Sequence, residues 1–253
     1  MKKFLILTCL VMAISFNAAK AQYWTSGGEI IFSWADYRDS ASTRITGPPR
    51  FTMFLHLNYN YHLDLGKHLG LATGLSMKNV GFITTDETFT IPGSTGGPIT
   101  YDKIKRRSYT LGIPLMLKIG NMKKDKFLAL GAEYDLLFHF KEKAFINGNK
   151  LKRKGFMSNE TELFIPSVFV GLKLWKFGMI KFQYYLDDFL NKDFTTKAGE
   201  KPYAGTTSQM MYVSWTGYLR MKKVDKSKLK KKKKSDPEYS ANTTLLKNIK
   251  IGY

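Results

Sequence analysis

Cysteine is almost absent from this sequence of 253 residues, in which Cys9 is the single one. Cys9 lies within a segment that we expect to be removed, so the mature chain would have no disulfide and no cysteine ligand for a metal. Acidic residues are also scarce, because 20 of them face 40 lysines and arginines and leave a formal net charge of +20. Such an excess of positive charge predicts an anionic surface or molecule as a partner.

Long apolar runs are absent beyond the first 21 residues. A membrane-spanning helix needs roughly 20 apolar residues, so any crossing of a membrane would have to be made by strands. Residues 1–21 are typical of a secretory signal peptide, with two lysines, an apolar stretch over residues 4–16, and Ala19-Lys20-Ala21 before the cleavage point. An exported chain is a poor candidate for binding nucleic acid, and we predict no nucleic-acid partner.

A period of two in hydrophobicity dominates residues 51–63, where large apolar side chains alternate with mostly polar ones. This pattern predicts a strand with one apolar and one polar face, long enough to cross a bilayer at a tilt. A soluble β-sandwich is the alternative, but its strands usually have about five or six residues. The alternation occurs in eight segments: residues 30–34, 51–63, 69–77, 109–119, 128–138, 168–174, 180–186 and 211–219.

The connections between these segments alternate in length. The long ones cover residues 36–50, 84–107, 141–160 and 188–208, and the short ones cover residues 66–68, 120–126 and 175–178. Outer-membrane barrels sort long extracellular loops from short periplasmic turns in this way. The sequence therefore predicts an all-β fold, an eight-stranded antiparallel transmembrane up-and-down β-barrel over residues 22–221. We expect it in outer-membrane lipid with both termini in the periplasm.

Two short motifs resemble a known family. Residues 109–118, YTLGIPLMLK, resemble an Ile-Pro-Leu-x-Leu-Lys strand of PorT-like outer-membrane β-barrel proteins, and residues 184–191, YYLDDFLN, are similar to a strand-to-loop segment of that family. The resemblance implies an eight-stranded barrel. It also implies a structural or accessory role that docks a partner, since some members are linked to a protein-secretion and gliding apparatus.

The side chains between the apolar ones are expected to face the lumen, which in an eight-stranded barrel is just wide enough for side chains to fill. Charges buried there must be paired or hydrated. A passive small-solute channel is the alternative function, and a filled lumen would exclude it. We predict a salt-bridged plug in which Glu29 lies near Arg220, with the full set Glu29, Lys118, Glu133, Asp135, Lys173, Lys181 and Arg220.

Catalysis has little support in the sequence. We expect His139 near the outer end of one strand, and the consecutive residues Asp187 and Asp188 near the outer end of another. There they could activate water, but no nucleophile motif accompanies them. The four histidines also lack the spacing of metal ligands. We therefore predict no enzyme activity, no cofactor and no metal, and keep a hydrolase at the barrel rim as a third alternative.

Residues 222–253 form a lysine-rich tail that we treat as a separate segment, expected to be disordered in the periplasm. The functional interpretation is contact with a periplasmic or envelope protein, or with anionic head groups; the alternative is a solvated tail that only aids solubility. Residues 245–253 could be a strand or a sorting signal. The contact is assigned to Lys230, Lys231, Lys232, Lys233 and Lys234.

Overall fold

The structure is a computed structural model that describes residues 21–92, 97–175 and 178–221. The predicted signal peptide, apart from Ala21, and the predicted tail with its five-lysine contact lie outside the described residues. Within the described part, no helix is long and apolar enough to cross a membrane. The strands are β1 Ala21–Gly27, β2 Glu29–Arg38, β3 Arg44–Ile45, β4 Arg50–Thr52, β5 Leu57–Asp64, β6 Leu69–Phe89, β7 Ile99–Asn121, β8 Lys126–Ile146, β9 Asn149–Phe156, β10 Phe164–Trp175, β11 Gly178–Asp188, β12 Thr207–Gly217 and β13 Leu219–Arg220.

The strands close into one antiparallel barrel. β1 lies between β13 and β5, and β2, which follows β1 after Gly28, lies between β12 and β4. The remaining neighbours are β5, β6, β7, β8, β10, β11 and β12, in that order. Because β1 with β2, β4 with β5, and β12 with β13 each act as one wall strand, the barrel has eight. The predicted eight-stranded antiparallel up-and-down barrel is confirmed.

A belt of apolar side chains surrounds the outside of the barrel. On β7, Leu111, Ile113 and Leu115 are exposed, while the residues between them point inward and are buried. The segment from Tyr109 to Ile119 spans about 25 Å at a tilt of about 45°, which is the height of a lipid-facing band. Other exposed members of the belt are Phe32, Leu57, Leu69, Leu75, Leu128, Leu130, Val168, Val170, Leu172, Ile180, Phe182, Val213 and Trp215.

Three strands extend well past this belt. β6, β7 and β8 have 21, 23 and 21 residues, about twice the number that crosses a bilayer. The loops predicted over residues 84–107 and 141–160 are therefore mostly strands: β6 and β7 pair up to Phe89↔Ile99, and β8 continues into β9. Their charged composition resembles a loop, but the backbone pairing continues. We call residues 82–89, 99–107, 139–146 and 149–156 the head.

The second predicted strand is interrupted. Thr52 of β4 lies opposite Ile31, and Asn58 of β5 lies opposite Gly27, so the five residues between them on this strand face three on its neighbour. The two extra residues form an exposed bulge in which Leu55 has a φ of 57°. Because the excess is even, the residues before and after the bulge keep the same inward–outward alternation. The sequence pattern therefore does not indicate that the strand is interrupted.

The lumen is packed at two levels with apolar side chains. The larger cluster reaches into the head and includes Ile31, Val80, Phe140 and Phe189. The smaller one, near the short turns that mark the lower end of the barrel, is built around Met116, Phe127, Phe169, Met179 and Tyr218. The charged side chains described next lie between these two clusters and at both ends of the barrel.

Candidate functional site

The middle of the lumen holds a buried ion cluster centred on Lys78 of β6. Its Nζ lies 2.7 Å from Oε2 of Glu133 and 3.0 Å from Oδ2 of Asp135, and all three side chains are excluded from solvent. Glu133 also accepts hydrogen bonds from Ser76 and Gln183, and the Tyr185 hydroxyl donates to Asp135 at 3.0 Å. These neutral donors add hydrogen bonds that one lysine alone could not supply, and they leave Oδ1 of Asp135 buried without a partner among the described residues.

A second buried pair lies beside this cluster. The Nζ of Lys181 is 3.1 Å from Oε1 of Glu29, which also accepts hydrogen bonds from the Ser214 and Thr216 hydroxyls. The ring of Tyr212 lies near both of these lysines, 5.4 Å from the Nζ of Lys181 and 6.0 Å from that of Lys78. The Glu29 pair therefore belongs to the same polar layer as Lys78.

The other predicted lumen lysines lie apart, at the lower end. The Nζ of Lys118 is 2.5 Å from Oδ1 of Asp64, and that of Lys173 is 2.6 Å from Oδ2 of Asp125. Both ammonium groups also flank the ring of Phe127, at 5.5 and 5.6 Å from its centroid. These two pairs close the lower opening of the barrel around an aromatic side chain.

Arg220 does not join the lumen cluster, so its predicted place near Glu29 is wrong. It is exposed on β13, and its guanidinium stacks over the ring of Tyr23 at 3.8 Å. The reason is geometric: β13 pairs with β1 at the lower rim, where the lumen has ended. The single plug predicted from the sequence is thus a central layer, two rim pairs and one surface arginine.

The side chains leave little empty space in this part of the lumen. A cavity of about 20 Å³ lies among Asn60, Met116, Lys181 and Tyr218, which is room for about one water molecule. The two apolar clusters lie above and below the central polar layer. In the described residues the lumen is therefore filled rather than open.

The head contains a third ion cluster, centred on Arg106. Both guanidinium Nη atoms donate to Glu87 at 2.7 Å, and Nε donates to Glu142 at 2.9 Å. Arg153 of β9 bridges Glu142 at 3.2 Å to Glu160, which lies after the head. The Arg106 guanidinium is fully buried and packs within 6 Å of three aromatic rings, those of Tyr37, Phe82 and Phe89.

Burial and pairing act in opposite directions on the carboxylates of the head. Burial alone would raise the pKa of Glu87, but Arg106 and the hydroxyl donors of Thr84 and Tyr37 hold that pKa below its ordinary value. Burial raises the pKa of Glu160, and the charge of Arg153 only partly opposes this. Glu87 therefore ionises more readily than an ordinary glutamate, whereas Glu160 ionises less readily.

An open cavity of about 320 Å³ lies in the head, beside the ion cluster of Arg106. Two of its three charged lining residues, Glu142 and Arg153, are already paired with each other and with Arg106 or Glu160, and the third is Lys152. The rest of the lining includes Ile99, Tyr101 and Leu151. The cavity offers a ligand few polar groups that are not engaged, and we assign it no function.

Several of these charged residues could have been found from the sequence. Lys78 follows outward-facing Met77, and Asp64 follows Leu63, so the period of two already placed both in the lumen. The head residues Arg106, Glu87 and Glu142 escape the sequence analysis for another reason, because it predicts loops for their segments. The sequence signal there was a β-compatible composition without a turn over most of residues 99–107 and 139–146.

The residues considered for a rim hydrolase are not brought together. His139 lies on β8 and packs on the ring of Tyr109, 5.6 Å between centroids. Asp188 accepts hydrogen bonds from Ser208 and forms an ion pair with Lys192 at 2.6 Å, and Asp187 is exposed. Among the residues that the structure describes, no group of three or more His, Cys, Asp or Glu side chains could hold a metal ion.

No protein-family model and no curated protein sequence matches the chain. Among solved structures, Ail of Yersinia pestis, in complex with the heparin analogue sucrose octasulfate, is 10% identical with a TM-score of 0.33, covering 78% of this chain and 97% of Ail. Neisserial surface protein A is 8% identical with a TM-score of 0.34, covering 80% and 99%. The P. putida toluene transporter TodX is 13% identical with a TM-score of 0.23, covering 83% of this chain and 56% of TodX. Likeness at this level carries no argument, and the fold rests on the strand pairing.

Proposed function

We propose that this protein is a bacterial outer-membrane β-barrel with a closed lumen and an accessory role. The observation that carries the proposal is the inverted distribution of side chains. Exposed leucines, isoleucines and aromatics form the outer belt, while Lys78, Glu133 and Asp135 are completely buried inside. In water an exposed apolar belt of this size would be a liability, whereas in lipid it is the expected surface.

The filled lumen favours an accessory role over passive transport. A conducting pore needs a continuous hydrated path, and here apolar clusters and paired charges occupy the space. We expect the purified barrel to leave a planar lipid bilayer without steady single-channel conductance. Regular open-channel steps at neutral pH would overturn the closed lumen and restore the small-solute channel.

The proposed orientation places the head outside the cell, and the lower end of the barrel with both chain termini in the periplasm. At the lower end the connections are short, residues 65–68, 122–125 and the link between β10 and β11, whereas the strands that extend past the belt all do so at the other end. This asymmetry is the one that outer-membrane barrels show. A protease added to intact cells should therefore cleave only in the head-side connections.

The accessory role includes a partner on the periplasmic side. We propose that Lys230, Lys231, Lys232, Lys233 and Lys234 contact an acidic envelope protein or inner-leaflet head groups, since they are the densest run of charge in the sequence. A link to protein secretion, which the resemblance to PorT-like proteins implies, is part of this proposal. Its support is the sequence alone.

The membrane location can be tested with matched substitutions on the outer surface. Leu115→Arg places a charge near the middle of the belt and should destabilise the folded barrel by about 2–4 kcal/mol in guanidinium unfolding from vesicles. Thr88→Arg places the same charge on an exposed head position and should change stability by less than about 0.5 kcal/mol. Equal effects would contradict the proposed belt, as would a wild-type protein recovered soluble and not heat-modifiable on a gel.

A further inference from the structure

The outward face of the head carries a regular array of positive charge. Strands β7, β8 and β9 lie side by side there, and their outward residues align in three cross-strand rows of three. Eight of the nine positions are lysine or arginine. The rows are Arg107, Lys141 and Lys154; then Lys105, Lys143 and Lys152; then Lys103, Phe145 and Lys150. We call these nine residues the cationic grid.

Among the described residues, no acidic side chain lies within ion-pair distance of the cationic grid. None of its eight cations forms an ion pair with a described side chain, although arginines of the same strands that point inward are all paired. The one neutral member, Phe145, has the ammonium groups of Lys105 and Lys150 beside its ring at 5.7 and 5.9 Å. The array therefore lacks an internal counterion.

The spacing of the grid concentrates this charge. Neighbouring strands are about 4.8 Å apart and successive outward residues about 7 Å apart, so eight cations share an area of roughly 10 by 14 Å. Like charges directly opposite each other destabilise a sheet. Partial burial lowers the pKa of Lys143, and Lys141, Lys150 and Arg107 lower it further. Folding thus holds together charges that repel, which an anionic ligand would relieve.

The position of the grid along the barrel indicates which anion is near. Its lowest row begins two residues above a band of aromatic side chains, where Tyr109 packs on Phe138 and Phe138 packs on Phe156. Below Tyr109 the outward residues of β7 are apolar. Aromatic bands of this kind lie at the level where acyl chains end and head groups begin. The grid would therefore stand beside the head groups of the surrounding lipid.

We propose that the cationic grid binds the phosphorylated sugar head group of the outer-leaflet glycolipid of the bacterial outer membrane. This inference rests on the proposed membrane location and on the head facing outward. Phosphates on a sugar scaffold present several negative charges at the membrane surface, and a rigid array of lysines and an arginine can contact more than one at once. The aromatic band and apolar belt below would receive the acyl chains of the same molecule.

A soluble polyanion, such as an acidic polysaccharide, is the competing ligand. It would need no membrane and would contact exposed cations at any height. The lowest row argues for lipid, because Arg107 lies over the ring of Tyr109 at 4.7 Å and so stands at the edge of the apolar belt. A polymer in solution would reach Lys150 and Lys152 more easily than this row.

The test compares two triple variants of the full chain folded in phosphatidylcholine nanodiscs. The grid variant is Lys105→Gln, Lys143→Gln and Lys152→Gln, which removes the middle row. The control is Lys123→Gln, Lys124→Gln and Lys126→Gln, three exposed lysines at the lower end, which changes the net charge equally. The probe is fluorescent diphosphorylated lipid A, compared with its dephosphorylated form, and heat-modifiability first confirms that each variant is folded and inserted.

We expect the grid variant to lose affinity for diphosphorylated lipid A by about 100-fold, which is about 3 kcal/mol for three lysines at an anionic surface. The control should keep wild-type affinity, and the dephosphorylated probe should bind all three proteins equally. Equal losses in both variants, or no preference for phosphate, would overturn the inference while leaving the membrane location intact. Displacement of the lipid by soluble heparin at equal charge concentration would instead assign the grid to a polyanion. A wild-type protein that never inserts would refute the proposed function itself.

Discussion

The inward and outward faces of the head use the same residue types in opposite ways. On the inward face, Arg106 and Arg153 meet Glu87, Glu142 and Glu160 within ion-pair distance. On the outward face of the same strands, the eight cations of the grid have no such partner among the described side chains. The difference separates two roles of charge: paired charge fixes the position of strands, and unpaired charge is available to a partner.

The belt repeats the same contrast with other residues. There the inward face carries the paired charges of Lys78 and Glu29, and the outward face carries leucine, isoleucine and valine. Thus the charges on the inward face are paired both in the belt and in the head, with apolar clusters packed between them. Only the outward face changes, from apolar in the belt to cationic in the head, as its proposed surroundings change from acyl chains to head groups.

The largest expected effect comes from breaking the inward face of the head. Arg106→Met would leave the buried Glu87 and Glu142 without their main partner and should destabilise the head by about 3–5 kcal/mol. Arg107→Met, one residue along and facing outward, should cost less than about 1 kcal/mol, since that side chain is partly exposed and has no described ion pair. Hydrogen exchange of the amides of β6 and β7 measures both effects.

A compensated variant sharpens this comparison. Adding Glu87→Gln and Glu142→Gln to Arg106→Met removes the orphaned charges and should restore part of the lost protection. If the single and the compensated variants are equally unprotected, the arginine acts through its packing on Tyr37, Phe82 and Phe89 rather than through its charge.

The next effect concerns pH, and the two carboxylates should behave oppositely. The pKa of Glu87 in the folded head lies below the ordinary 4.5, so its stabilisation is present above pH 4.5 and is lost as pH falls through the folded pKa. The pKa of Glu160 lies above 4.5, so its ionisation destabilises the head as pH rises through that raised value. Protease resistance of the head between pH 3 and pH 8 measures both, compared with Glu87→Gln and Glu160→Gln.

The expected pattern is that Glu87→Gln is most harmful at neutral pH and converges with the wild type in acid. Glu160→Gln should be harmless or stabilising at neutral pH and should converge with the wild type below pH 4.5. Parallel pH profiles for the two variants would show that burial and pairing do not distinguish these carboxylates.

Most of the barrel could be predicted from the sequence because its wall obeys one rule. A period of two needs no knowledge of neighbours, and it identified all eight wall strands and the inward position of Glu29, Glu133, Asp135 and Lys181. It did not reveal which inward charges meet, because pairing depends on how far neighbouring strands are staggered. Lys118 therefore pairs with Asp64 rather than with the central cluster.

The head could not be predicted for a different reason. Its outward residues are mostly lysines, and its inward residues include Arg106 and Glu142, so hydrophobicity does not alternate even though the side chains do. One indication of strands remained in the sequence. Over most of residues 99–107 and 139–146 the composition is compatible with β-structure and no turn is present. Likewise, the bulge near Leu55 has an even number of extra residues, so no change of period marked it.

The smallest expected effect concerns the lysine-rich tail, which is a third arrangement of charge in this chain. Its five consecutive lysines, residues 230–234, follow neither the inward nor the outward pattern of a strand. Screening at physiological salt limits attraction between charges in water to about 8 Å, so a partner of these lysines must touch them. Replacing all five by glutamine should leave the barrel folded and its lipid A affinity unchanged. Recovery of a co-purified envelope partner should fall, and raised salt should cause the same fall in the wild-type protein. If the variant retains its partners at every salt concentration, the tail is only a solvated appendage; if it loses lipid A affinity as well, the grid and the tail do not act on separate ligands.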